Sequence, residues 1–60
     1  MNRIDELYDW AVEQNLQQDP GRVFKLFNEA RRRYGGELTR YELSELVKKV
    51  LERMRIERTL

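Results

Sequence analysis

From Leu38 to Met54 the chain reads L-T-R-Y-E-L-S-E-L-V-K-K-V-L-E-R-M. Its apolar residues Leu43, Leu46, Val47, Val50, Leu51 and Met54 recur at alternating steps of three and four. That spacing lines one face of an α-helix and fits no strand. Thr39 and Glu42 stand three apart just ahead of it, the arrangement of a capping box. Leu38, one residue before the cap, is placed to pack on Leu43 as a hydrophobic staple. The segment therefore predicts a helix with one buried face, and a lone helix cannot bury that face by itself.

Two further segments supply partners. In the first, Ile4, Leu7, Tyr8, Ala11 and Val12 make an inner face, with Trp10 at one edge and Leu16 at the other. Asn2 is the expected cap, and Asp5 and Glu6 fall in the first turn, where carboxylates suit the helix dipole. The following N-L-Q-Q-D carries no periodicity and reads as a loop. Asp19-Pro20 then signals a second start, with Asp as the cap and Pro at the first helical position. Val23, Phe24, Leu26, Phe27, Ala30 and Tyr34 form the second face. Gly35-Gly36 ends it, one glycine taking the left-handed conformation. Arg31, Arg32 and Arg33 sit in the last turn, where cations suit the dipole.

The expected fold is all-α: a compact three-helix bundle, one domain spanning 1–60, with helices near 3–16, 20–34 and 40–58. Short links favour antiparallel neighbours, and helices two and three form a helix-loop-helix. The expected core is Leu7, Ala11, Val23, Phe27, Ala30, Leu43, Leu46, Val47, Val50 and Met54. At 60 residues such a core is small, so self-association or a partner would add to its stability.

Composition narrows the chemistry. The chain has no cysteine and no histidine, so it lacks a thiolate nucleophile and the commonest base and metal ligand at neutral pH. No serine has a histidine to activate it, and no glycine-rich phosphate loop follows a strand. These features argue for a non-enzymatic protein with no cofactor and no metal. Lys and Arg total 12 against 11 Asp and Glu, a net charge of +1 that gives no global pull toward nucleic acid or membrane. No apolar run approaches the roughly 20 residues of a membrane span. The opening M-N-R-I-D-E-L is too acidic and interrupted for a signal peptide, so a cytoplasmic location is the default expectation.

Charge is unevenly placed. Residues 1–19 carry Asp5, Glu6, Asp9, Glu13 and Asp19 against Arg3, while residues 20–36 carry Arg22, Lys25, Arg31, Arg32 and Arg33 against Glu29. Helices one and two are expected to attract each other as neighbours.

Phe27 to Leu43 resembles an EF-hand in outline. Gly36, Leu38 and Glu42 match the sixth, eighth and twelfth places of the calcium loop, and Phe27 falls where the entering helix packs an aromatic. The early ligand places hold Arg31, Arg33 and Gly35 instead, and guanidinium groups repel calcium. No calcium site is expected.

Two readings of function remain. The first is a structural scaffold or protein-interaction module. Its candidate contacts are Trp10, at the edge of its apolar face, and Tyr41 and Ile56, well off the third helix's stripe. Self-association or a helical partner would cover them. The second is a small helix-turn-helix-like nucleic-acid binder, with Arg31, Arg32, Arg33, Arg40, Tyr41, Ser44 and Lys48 as candidate contacts. Glu45 and Glu52 border that surface and oppose it. Clean caps and absent cysteine and histidine suit a designed bundle. The irregular N-L-Q-Q loop and only two alanines suit a natural one.

Overall fold

The computed structural model describes residues 2–59, and side chains from Asn2 through Arg55. Three helices follow one another: α1 (Arg3–Glu13), α2 (Arg22–Tyr34) and α3 (Arg40–Thr59). A short 3₁₀ turn, Leu16–Gln18, lies between the first two. Among the described residues there is no strand. The helices form a three-helix bundle of 34 × 22 × 18 Å. α3 packs broadly against both other helices, and the direct contact between α1 and α2 is thinner.

Two helix starts form as the sequence dictates. Asn2 Oδ1 accepts the Asp5 backbone N–H at 2.8 Å. The Thr39 hydroxyl accepts the Glu42 N–H at 3.2 Å, and Glu42 Oε1 accepts the Thr39 N–H at 3.0 Å. The capping box is thus complete in both directions. Leu38 and Leu43 both join the core, as a staple requires.

The first connection departs from expectation. α1 stops at Glu13 rather than running to residue 16, because Asn15 adopts a left-handed backbone, with φ 58° and ψ 37°. Asn tolerates that conformation better than most residues. The turn swings Leu16 into the core, where it is 2% exposed. Burial of that leucine, worth roughly 2 kcal/mol, outweighs continuing the helix into solvent. α2 begins at Arg22 rather than Pro20. Asp19 Oδ1 accepts the Gly21 N–H at 2.7 Å and its other oxygen binds Lys25, so Asp19 organises the turn before the helix. Gly21 takes the cap position.

The second connection ends α2 without a left-handed glycine. Gly35 is right-handed, at φ −63°, and its N–H donates to the Arg31 carbonyl at 2.8 Å. A Cβ at Gly35 would lie 2.3 Å from that same carbonyl oxygen. Close approach, not positive φ, is what calls for glycine there.

The core comprises Leu7, Tyr8, Ala11, Leu16, Leu26, Ala30, Tyr34, Leu43, Leu46, Val47, Val50 and Met54. Eight of the ten expected core residues are in it; the other two are Val23, half exposed, and Phe27, partly buried at its edge. Val12, expected inside, is exposed, and so is Phe24. Leu26 and Ala30, not Val23, are the α2 residues with no exposure at all. The expected ion pairing between α1 and α2 is absent among the described residues. Asp5 binds Arg53 of α3 at 2.5 Å, and Arg3 binds Glu37 at 2.8 Å. Among the described residues, α1 and α2 are linked by the Tyr34 hydroxyl donating to Glu6 and by the Arg3 guanidinium over the Tyr34 ring.

Candidate functional site

α2 presents apolar groups over far more than one face. Successive residues of a helix turn by about 100°, so Phe24 lies about 160° around the axis from buried Leu26. A bundle partner covers one stripe and leaves the remainder wet. Accordingly Phe24 is 79% exposed and Val23 50% exposed. Phe27, one turn on, is half-buried against the core. Arg31 follows Phe27 by four residues and Phe24 by seven, which puts it on the same side of the helix. The outer side of α2 thus carries Val23, Phe24 and Phe27 with an arginine at one end.

Arg31 supplies positive charge on this side, whereas Arg22, two residues before Phe24, lies about 160° around the axis from it, toward α3. Arg22, which precedes Val23, lines a groove of ≈ 380 Å³ with Leu51, Met54 and Arg55 of α3. That groove sets the first turn of α2 beside the Leu51–Arg55 turn of α3, with Glu52 at its margin. Among the described residues, Arg22, Arg31, Arg40 and Arg55 have no ion-pair partner.

Glu29, the carboxylate of α2, is held on the other side. It accepts from Arg32 at 3.0 and 2.6 Å and from Arg33 at 2.6 Å. The hydrogen bond from Arg32 is the largest influence on its acidity; burial opposes it and Arg33 adds to it, and the carboxyl is held down to about 2. This clamp uses two of the three consecutive arginines. Arg31 alone of the three points its charge outward without a carboxylate.

The residues singled out from sequence do not share one surface. Trp10 is half-buried in a groove between α1 and α2, beside Gln14, Leu16, Lys25, Glu29 and Arg32. It packs on the core and closes its edge. Tyr41 is 74% exposed, but it lies in a different groove, with Asn2, Arg3 and Ile4 of the α1 end and Glu45 and Lys49 of α3. The side chain of Ile56 lies outside those described. Of the candidate nucleic-acid contacts, Arg32 and Arg33 are engaged by Glu29, and Lys48 lies 3.6 Å from Glu45. Arg40 is exposed and Ser44 half-buried. Tyr41 is turned toward the α1 end of the bundle. For the EF-hand outline, Glu42 is occupied as a cap and Arg33 by Glu29. Among the described residues no group of three or more His, Cys, Asp and Glu is placed to hold a metal, and no helix is long and apolar enough to cross a membrane.

Phe24 and Val23 of α2, like Val12 of α1, are surface residues that the sequence pattern places in the interior. The width of the apolar arc on α2 was the available signal. No protein family, curated protein or solved structure matches this chain.

Proposed function

We propose that this chain is a non-enzymatic protein-interaction module that makes contact through the outer side of α2. The observation that supports it most is Phe24, a large aromatic left almost wholly in water next to Val23 and Phe27. Scattered single apolar residues are ordinary on a surface, whereas contiguous ones mark contacts. Aromatic residues and arginine are both enriched in protein interfaces. Trp10 and Tyr41 serve this reading less well, since they lie in separate grooves. A cytoplasmic setting is the default that accompanies it.

Nucleic-acid binding is the competing reading, favoured by the unpaired Arg31 and Arg40 among the described residues. It is the weaker one, because Arg32 and Arg33 are committed to Glu29. A photo-crosslinking phenylalanine analogue at position 24, with exposed position 48 of α3 as control, tests contact in the cells that make the protein. A protein adduct specific to position 24 supports the module. A duplex DNA mobility shift whose affinity falls steeply with salt, with no protein adduct at position 24, would sink it in favour of the competitor.

A further inference from the structure

We infer that the groove between α2 and α3 is a second binding site, which takes the C-terminal end of a peptide whose last residue is apolar. The site is separate from the surface proposed above, because Arg22 and Phe24 lie about 160° apart around α2. Arg22 edges the groove from α2, Arg55 edges it from α3, and Leu51 and Met54 form its apolar wall. Both arginines are exposed, and neither has an ion-pair partner among the described residues. By contrast Arg3, Lys25, Arg32, Arg33, Lys48 and Arg53 each face a carboxylate. Two unmatched guanidinium groups on different helices, set beside an apolar wall, complement a carboxylate carried on an apolar body.

Gln17 adds a second requirement. It lines the same groove, and among the described residues its side-chain Oε1 is buried without a hydrogen-bond partner. Buried acceptors are nearly always paired, and an unpaired one is destabilising. As a residue Gln17 is only partly buried, so its amide has room to turn toward a donor brought into the groove. Glu52 at the margin is a further acceptor. It also repels extra negative charge, which favours a ligand with a single anionic group.

A peptide C-terminus meets these terms together. Its carboxylate suits Arg22 and Arg55, its last side chain suits Leu51 and Met54, and its backbone N–H groups suit Gln17 and Glu52. A bare fatty carboxylate would bring no donor to either acceptor. Size points the same way. The groove offers ≈ 380 Å³, room for roughly a dozen non-hydrogen atoms at the ~30 Å³ that a water molecule takes in the liquid. A terminal leucine with the peptide group before it has about that many. The groove is one helical turn long, too short for the several-turn face of a docked helix.

Titration of the isotope-labelled full chain with acetyl-Ala-Leu, its carboxylate free, tests this. Amide shifts should concentrate at Gln17, Arg22 and Leu51–Arg55, with a Kd of about 0.1–1 mM for so small a ligand. The same peptide with a C-terminal amide should bind about 10-fold more weakly, and so should octanoate, which has the carboxylate without the N–H groups. Arg22→Gln and Arg55→Gln should each weaken binding about 5-fold or more, while Arg40→Gln leaves it unchanged. All three positions are exposed, so helical circular dichroism stays intact. An amide-capped peptide that binds as well as the free acid would overturn the inference. Octanoate binding as tightly as the peptide would reject the peptide end as occupant. Shifts confined to another part of the molecule, or none at about 10 mM peptide, would reject the site. Phe24→Ser should leave the titration unchanged, so this site and the α2 surface stand or fall independently.

Discussion

On its inner side α2 buries Leu26 and Ala30 completely; within the same two turns its outer side leaves Phe24 almost bare. Residue type does not separate the two sides, for both are apolar. Geometry does. Leu26, Ala30 and Tyr34 recur at a strict step of four and meet α1 and α3, whereas Phe24 points away from both. A phenylalanine two residues on, in the place of Leu26, would be buried, whereas Phe24 has no neighbour to press on. Apolar character in a helix therefore records two demands here, one from the fold and one from what the fold is proposed to meet.

Substitutions along α2 can break that division. Leu26→Ala should cost about 2–5 kcal/mol, a large part of the stability of so small a core. Chemical denaturation would measure it, and a loss under about 1 kcal/mol would remove Leu26 from the interior. Phe27 straddles the border, so Phe27→Ala should cost about 2 kcal/mol, less than the roughly 3–5 of a fully buried phenylalanine. A full-size loss would move the border outward past Phe27.

Glu29 sharpens the division electrostatically. Its folded value lies near 2 against an ordinary 4.5, so between these the unfolded chain binds more protons. Stability is then complete above about 4.5 and declines as pH falls toward about 2. Asp19, held down mainly by Lys25, and Glu42, held down mainly by the Thr39 N–H, act in the same direction. Arg32 is mostly in solvent, so the contribution of the Glu29 clamp should be about 1 kcal/mol. Glu29→Gln should flatten that part of the acid loss in a urea series run from neutral to acid pH. An unchanged slope would show that the clamp holds no differential charge energy. Phe24→Ser should have the smallest effect, within about 0.5 kcal/mol, while still abolishing contact through α2. A loss of several kcal/mol there would mean that Phe24 belongs to the fold.

The part of the architecture written in short-range chemistry was legible. The Asn2 cap, the Thr39–Glu42 box and the stripe from Leu43 to Met54 each depend on residues within one or two turns, and each forms. What escaped was decided by distant partners. Nothing near Asn15 says that the chain should turn left-handed there; the reward is Leu16 reaching a core built by other helices. Likewise no local rule says which part of an overly wide apolar arc its neighbours will cover, so Val23 and Phe24 were read as interior. The Glu29 clamp was readable in principle, because arginines three and four residues after a glutamate share its side of a helix. The tripled arginine reads as a set of nucleic-acid contacts, although two of its members have a partner close in sequence.

Because α3 contacts both other helices broadly while α1 and α2 meet over less, the three are unequal in how they come apart. Opening α1 uncovers Leu7, Tyr8 and Ala11 yet leaves the α2–α3 hairpin in place. Releasing α3 leaves two helices with too little mutual surface to stay folded. Hydrogen exchange should follow that hierarchy: amides in the middle of α3 open only with the whole molecule, and those of α1 open earlier, in a smaller unit. The N-terminal helix is then the part of this chain that can be exposed without unfolding the rest.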